Sequence, residues 1–204
     1  NTLSFKICKE GSLSFHLAGI IPVAGQQLDF NMPWHDALMP LAPDYLMVER
    51  SVMECAYAGC ETIWIVCDDR TQPLIRYKIG EMVQDPVWLS RTYEIKKKDF
   101  QKPIRIYYVP IFASDVNKRD CLSWSVIHGS SVALKISRGL SKWLAPSKFY
   151  VSWPYGYYDP STLRAYRETI SSSKDVYLAH NELGVKDDEY LGFSFGPETL
   201  RKLK

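Results

Sequence analysis

The stretch HLAGIIPVAG at residues 16–25 is an apolar run that ends at a glycine. Such a run, closed by a turn signal, predicts a buried strand over His16–Ala24 and then a turn. The stretch TIWIVC at residues 62–67 is β-branched and aromatic, and it predicts a second buried strand. Apolar residues at helical spacing between the two strands predict a helix over Tyr45–Ala58, with Gly59 as its C-terminal stop.

The same alternation of strand and helix continues to the end of the chain. Further strands are predicted at Ile104–Val109, Phe149–Trp153, Asp175–Ala179 and Tyr190–Phe195, and further helices at Gln72–Val83, Leu122–Leu144 and Ser161–Ile170. A polar, basic loop is predicted over Glu94–Lys102. Strands separated by helices predict an α/β fold with a mostly parallel sheet and helices on both faces. Ligands bind such sheets where loops leave the carboxyl ends of the strands.

Composition indicates one folded domain. The chain has 204 residues, of which 46% are apolar and 24% are charged, so a disordered or collagen-like chain is excluded. We expect a single α/β domain over residues 1–204, with an N-terminal extension at 1–15 and further strands at 175–204. The net charge of +2 gives no support for nucleic-acid binding. No apolar run has the length of a membrane span, so no membrane partner is expected.

The five cysteines are irregularly spaced and include no C-x-x-C pair, which argues against a zinc site and a redox motif. We expect them to be reduced, with three of the five in segments predicted to be buried helix or strand. Residues 1–10 lack the charged start and long apolar block of a secretory signal. Together these features favour a cytoplasmic location.

The first loop and the residues around it resemble a known family. The sequence reads Ile21-Pro22-Val23-Ala24-Gly25, then a long loop, then Leu38-Met39-Pro40-Leu41, then the predicted helix and the second strand. This order resembles the start of the sugar-phosphate nucleotidyltransferases over residues 19–66. The resemblance implies their nucleotide-diphospho-sugar (GT-A) fold, a Rossmann-like three-layer sandwich. It also implies binding of a nucleotide or a nucleotide sugar.

The resemblance assigns roles to individual residues of the first loop. A glycine-rich loop lets backbone N–H groups approach phosphates. The positions that match the family's nucleotide-binding loop are Ala24, Gly25, Gln26 and Gln27. The family's arginine position holds Asp29, and its Pro-Lys pair is replaced by Pro33 and then Trp34-His35. Asp29 and His35 are therefore the two catalytic candidates, with His35 as the acid or base. For Gly25, a purely structural turn is the alternative.

Acidic residues at later strand ends are candidate ligands for Mg²⁺ or Mn²⁺. Asp68, beside Asp69, follows the second strand, and Asp159 follows the fourth strand. The resemblance implies a metal-binding aspartate soon after the fourth strand. The alternative for both residues is a helix cap. In the same way, Asp115 and Ser123 lie where the resembled fold contacts the nucleobase, with a solvated cap as the alternative.

The loop after the fourth strand is rich in aromatic residues, with Trp153, Tyr155, Tyr157 and Tyr158. These side chains are suited to stacking on a base or a sugar ring, or to forming a protein contact surface.

Two functions follow from these observations. The first is a divergent nucleotidyltransferase or glycosyltransferase that binds a nucleotide or nucleotide sugar. The second is a non-catalytic relative, a binding or assembly subunit that forms oligomers through its aromatic loops. The changes at Asp29 and His35 favour the second, and the richness in Trp and Tyr fits a fast-diverging lineage, such as a viral one.

Overall fold

The computed structural model describes residues 15–25, 31–91, 103–112, 114–115, 118–119, 121–141, 144–172 and 174–203. Its helices are α1 (Met47–Ala58), α2 (Gln72–Ile79), α3 (Pro86–Arg91), α4 (Leu122–Leu140), α5 (Arg167–Ile170) and α6 (Pro197–Lys202). Its strands are β1 (Leu17–Pro22), β2 (Pro40–Ala42), β3 (Tyr45–Leu46), β4 (Thr62–Cys67), β5 (Met82–Gln84), β6 (Pro103–Pro110), β7 (Lys148–Val151), β8 (Val176–Tyr177), β9 (Ala179–His180), β10 (Leu183–Gly184) and β11 (Phe193–Phe195).

Within these residues, one sheet of seven strands has the order β5-β6-β4-β1-β7-β11-β8. The four strands β6, β4, β1 and β7 are neighbours and run parallel. At the edges, β5 and β11 pair antiparallel with β6 and β7, and β8 pairs antiparallel with β11. The predicted α/β fold with a mostly parallel sheet is therefore confirmed, and antiparallel strands complete both edges.

Helices cover both faces of the sheet. Residues of β1 are buried on both sides, because consecutive side chains of a strand point to opposite faces. Leu17 and Ile21 pack in one core together with α1. Ala18 and Ile20 pack in the other core together with α4. The three layers of helix, sheet and helix match the predicted sandwich.

Several predicted boundaries are wrong for local reasons. Helix α2 stops at Ile79 rather than Val83, because Gly80 has a φ of +80°. The residues that follow, Met82–Gln84, instead form the edge strand β5. Helix α4 ends at Leu140, and the predicted helix over 161–170 begins as a 3₁₀ helix at Pro160–Tyr166. The predicted loop at 94–102 lies outside the described residues.

The cysteines agree with the predicted reduced state wherever they are described. Cys55, Cys60 and Cys67 are buried free thiols, and Cys121 is an exposed free thiol. Cys8 lies outside the described residues. Among the described helices, none is both long enough and apolar enough to span a membrane.

Candidate functional site

The candidate site lies at the edge where the four parallel strands end. Because β6, β4, β1 and β7 are parallel neighbours, the loops after them leave the sheet side by side. The described candidates lie in these connections, except Ser123, which lies in the first turn of α4. They are Ala24, Gly25 and His35 after β1, Asp68 after β4, Asp115 and Ser123 after β6, and Asp159 after β7. Gln26, Gln27 and Asp29 lie outside the described residues.

The start of the first loop is tied to the sheet and to α4 by its backbone. The N–H groups of Val23 and Ala24 both donate to the carbonyl oxygen of Val66, at 2.8 Å each. The carbonyl oxygen of Ala24 accepts a hydrogen bond from the Ser125 hydroxyl of α4. Both backbone groups of Ala24 are thus bonded within the protein, and they fix the direction in which the chain enters Gly25.

Gly25 lies directly against the start of α4. Its φ of +135° is in a region that side-chain-bearing residues rarely adopt. A Cβ atom at this position would lie 3.0 Å from the carbonyl carbon of Cys121 and 3.1 Å from the nitrogen of Leu122. The glycine therefore lets the loop contact the N-terminus of a 19-residue helix. The first N–H groups of a helix lack intrahelical partners and carry partial positive charge.

His35 is held by the backbone of its own loop. Its Nδ1 accepts a hydrogen bond of 3.1 Å from the N–H of Ala37, which caps a 3₁₀ turn at Asp36–Leu38. Burial lowers the pKa of His35 below its usual 6.5, and the carboxylates of Asp68 and Asp36 offset only part of that effect. Because Nδ1 accepts, the neutral ring carries its proton on Nε2. The structure thus brings His35 and Asp68 within electrostatic reach of each other.

The lowered pKa of His35 makes stability depend on pH in a predictable direction. The unfolded chain binds the proton more readily than the folded chain, so His35 destabilises the fold as the pH falls below 6.5. His35→Asn retains a capping acceptor and removes the titration. We expect the Tm of the wild type to fall more steeply than that of His35→Asn between about pH 7 and pH 5. Parallel Tm curves for the two proteins in thermal scans would contradict this prediction.

Asp68 is used as a cap at the end of β4. Its Oδ1 accepts hydrogen bonds from the N–H of Thr71, at 2.8 Å, and from the Thr71 hydroxyl. Its Oδ2 lies 3.3 Å from Nε of the exposed Arg70. These contacts hold the turn that leads into α2. The contacts of Asp68 are therefore those of a cap.

Asp159 is also a cap. Its two carboxylate oxygens accept hydrogen bonds from Ser161, at 2.9 Å from the backbone N–H and 2.6 Å from the hydroxyl. The Ser161 hydroxyl, and then its N–H, lower the pKa of Asp159. In the described part of the chain, no three His, Cys, Asp or Glu side chains are grouped so that they could hold a metal ion. Both Asp68 and Asp159 therefore have the contacts of a cap.

The connection after β6 places two candidates differently. The carboxylate of Asp115 lies 3.6 Å from the guanidinium of Arg119, which in turn stacks 4.3 Å above the ring of Trp124. Ser123 is exposed in the first turn of α4, next to the helix end that Gly25 contacts. Ser123 therefore lies at the helix end that Gly25 contacts, whereas Asp115 lies in the preceding loop beside Arg119.

A buried charged pair behind the site was not predicted. Arg50 and Glu54 of α1 are 2% and 0% exposed, and their Nη2 and Oε2 atoms are 3.0 Å apart. The Tyr150 and Ser152 hydroxyls each donate to Glu54 at 2.6 Å, and the Tyr158 hydroxyl also donates to it. The i, i+4 spacing was visible in the sequence, but that spacing usually indicates an exposed pair on a helix surface.

The same pair fixes the start of the aromatic loop. Nη2 of Arg50 donates to the carbonyl oxygen of Trp153 at 2.7 Å. Trp153 and Tyr155 are buried, whereas Tyr157 is 85% exposed. The loop therefore divides into a fixed, buried part and an exposed tyrosine.

No family model matches the chain, and no curated protein matches it in sequence. Solved structures do match its fold. Rv0371c from Mycobacterium tuberculosis H37Rv is 10% identical, with a TM-score of 0.56 over 93% of this chain and 75% of that one. A UDP-glucose pyrophosphorylase crystallised with UDP-glucose is 12% identical, with a TM-score of 0.50 over 92% of this chain and 78% of that one. The chain therefore shares the fold of these two structures, in agreement with the α/β fold that the resemblance implied.

Proposed function

We propose that this chain binds a nucleotide or a nucleotide sugar at the carboxyl edge of its parallel strands. The observation that carries the proposal is the contact between Gly25 and the N-terminus of α4, which leaves the loop backbone beside the positive end of a long helix. Helix N-termini that follow such a loop are suited to binding phosphate groups. The UDP-glucose held by a pyrophosphorylase of similar fold supports this class of ligand.

The candidate residues take the following roles in this proposal. The phosphates lie at Gly25 and at the first turn of α4, beside Ser123. Gln26, Gln27 and the Gly25 backbone remain the proposed contacts to the nucleoside, and Asp115 the proposed contact to the base. Ala24 contributes by directing the chain into Gly25. Because Asp68 and Asp159 serve as caps, binding rests on the helix and the loop rather than on Mg²⁺ or Mn²⁺ held by those two carboxylates.

A charge placed at the start of α4 tests the proposal. Ser123→Asp adds a carboxylate to the first turn, which should stabilise the helix by about 0.3–1 kcal/mol. The same carboxylate should repel the phosphates and weaken UDP-glucose binding at least about tenfold, or about 1.4 kcal/mol. Calorimetric titration measures the affinity, and a thermal scan without ligand measures the stability.

Ser90→Asp is the matched control, because it adds the same charge to an exposed serine on α3. It should leave the affinity for UDP-glucose unchanged. Equal affinities for Ser123→Asp and the wild type would place the phosphates elsewhere. Titrations with the other nucleoside diphosphates and their sugars identify the preferred base.

A non-catalytic binding or assembly subunit is the second candidate. It is favoured by the use of three proposed catalytic or metal-ligating side chains as caps, namely His35, Asp68 and Asp159. In this case the protein binds a nucleotide but does not turn over UTP and glucose 1-phosphate, or UDP-glucose with an acceptor, in the presence of Mg²⁺. If no nucleotide raises the Tm and light scattering shows oligomers, the assembly interpretation alone remains.

A further inference from the structure

A large cavity opens beside the loop that follows β7. Its volume is about 730 Å³, within the range of small-molecule sites. One wall is formed by the loop at 155–158 and by the helical segment at 160–170. The opposite wall is formed by the segment from β8 to the residues before β11. The floor includes Leu163 and Ile170, which are 3% and 0% exposed and belong to the core.

Tyrosines dominate the lining. The six that line the cavity are Tyr155, Tyr157, Tyr158, Tyr166, Tyr177 and Tyr190. Tyr157, Tyr166 and Tyr177 are 85%, 56% and 54% exposed, so their rings face solvent around the opening. A cluster of exposed aromatic rings on a soluble domain marks a surface that a ligand covers. Such rings bind other rings by offset or edge-to-face contact.

The walls are fixed in place before any ligand arrives. The Tyr158 hydroxyl donates to Glu54 of the buried pair. The rings of Tyr155 and Tyr190 make an edge-to-face contact with centroids 5.4 Å apart. Because these side chains are already held in place, less conformational entropy is lost when a ligand binds.

The charge of the lining restricts the class of ligand. Among the described residues that line the cavity there is no lysine or arginine. The only carboxylate in that set is Glu189 and the only imidazole is His180, both exposed. A phosphate that entered this cavity would therefore lose its hydration without gaining contact with a fixed cation. It would also lie near a carboxylate. An uncharged ligand meets no such penalty.

We infer that this cavity is a second ligand site, which takes an uncharged ligand with an aromatic ring that stacks on the tyrosines. It adjoins the proposed nucleotide site, because β7 is the neighbour of β1 in the sheet. The aromatic-ligand site does not depend on nucleotide binding, and it goes beyond the proposed function.

The test uses 2-naphthol as the uncharged aromatic probe and glucose 1-phosphate as the charged comparison. We expect saturable binding of 2-naphthol to the wild type by its change in fluorescence, and no binding of glucose 1-phosphate in the absence of nucleotide. Tyr157→Ala should weaken 2-naphthol binding about three- to tenfold, the range expected for one aromatic contact. Ala179→Trp adds an indole to the lining and should abolish binding.

Tyr77→Ala is the matched control, because Tyr77 is 93% exposed on α2 and does not line the cavity. It should bind 2-naphthol like the wild type. Tyr157→Ala should also keep its affinity for UDP-glucose, so that failure at one site is distinguishable from failure at the other. The inference is overturned if 2-naphthol does not bind, if both cavity variants bind it normally, or if glucose 1-phosphate competes with it. It is also overturned if a concentration-dependent dimer covers the cavity and excludes 2-naphthol.

Discussion

Glu54→Ala should lower the free energy of unfolding by about 3–5 kcal/mol, because it removes one partner of a buried ion pair. Glu54 is fully buried, accepts hydrogen bonds from Tyr150, Ser152 and Tyr158, and forms an ion pair with Arg50. Without it, the Arg50 guanidinium remains in the core with an uncompensated charge. Among the described residues, Nε and Nη1 of Arg50 have no hydrogen-bond partner, and Nη2 would keep only neutral acceptors, the Trp153 carbonyl and the Ser51 hydroxyl.

Urea denaturation monitored by circular dichroism measures the loss. Glu198→Ala is the control, because Glu198 is 75% exposed in a surface ion pair with Arg201. Pairs of that kind contribute about 0–1 kcal/mol. A loss below 1 kcal/mol for Glu54→Ala would show that the pair is solvated rather than buried. The double variant Arg50→Met, Glu54→Leu should recover only part of the loss. It removes the unpaired charge, but it leaves the Tyr150, Ser152 and Tyr158 hydroxyls without their acceptor.

Gly25→Ala should lower the free energy of unfolding by about 1–3 kcal/mol and weaken nucleotide binding at the same time. The φ of +135° strains any residue that carries a Cβ atom. The new Cβ would also lie 3.0 Å from the backbone of Cys121, and backbone cannot move aside as the end of a flexible side chain can. Relief of that contact moves the loop away from the N-terminus of α4, where we place the phosphates.

Gly139→Ala is the matched control for this substitution. Gly139 lies in α4, and a Cβ atom there would meet nothing within 4 Å. Alanine is favoured over glycine in a helix by about 0.5–1 kcal/mol, so this variant should be at least as stable as the wild type. Equal stabilities for Gly25→Ala and the wild type in urea denaturation would mean that the loop relaxes freely. Calorimetry with UDP-glucose would then show whether the contact matters for binding.

The sequence predicted the centre of the fold through local signals that tertiary contacts did not override. The β-branched run at Thr62–Cys67 formed a fully paired strand, and Gly59 ended α1 with a φ of +94°. The edges were harder to predict. β8 and β11 lie within the predicted strands at 175–179 and 190–195, whereas β5 was predicted as the end of a helix, because its three residues are too few for a periodic pattern. All three strands are only two or three residues long. Their pairing depends on neighbours that are distant in the chain.

The candidate site, like the fold, could be predicted from the sequence only in part. Parallel strands place their loops at one edge, so the sequence correctly predicted which loops lie together. It did not decide between a metal ligand and a cap for Asp68 and Asp159, because both uses need an aspartate at the end of a strand. Thr71 and Ser161, which bind these carboxylates, are close in sequence, but their hydrogen bonds depend on the turn geometry.

The sequence by itself determined the layered α/β fold, the glycine turn after β1 and the edge at which the loops meet, because these depend on the hydrophobic pattern and on backbone preferences of neighbouring residues. Only the tertiary structure decided that Arg50 and Glu54 are buried and that six tyrosines surround one cavity. Those facts depend on which segments, separated by as many as a hundred residues, pack against one another. Neither an Arg–Glu pair four residues apart nor tyrosines scattered along the sequence indicate which distant residues they will contact.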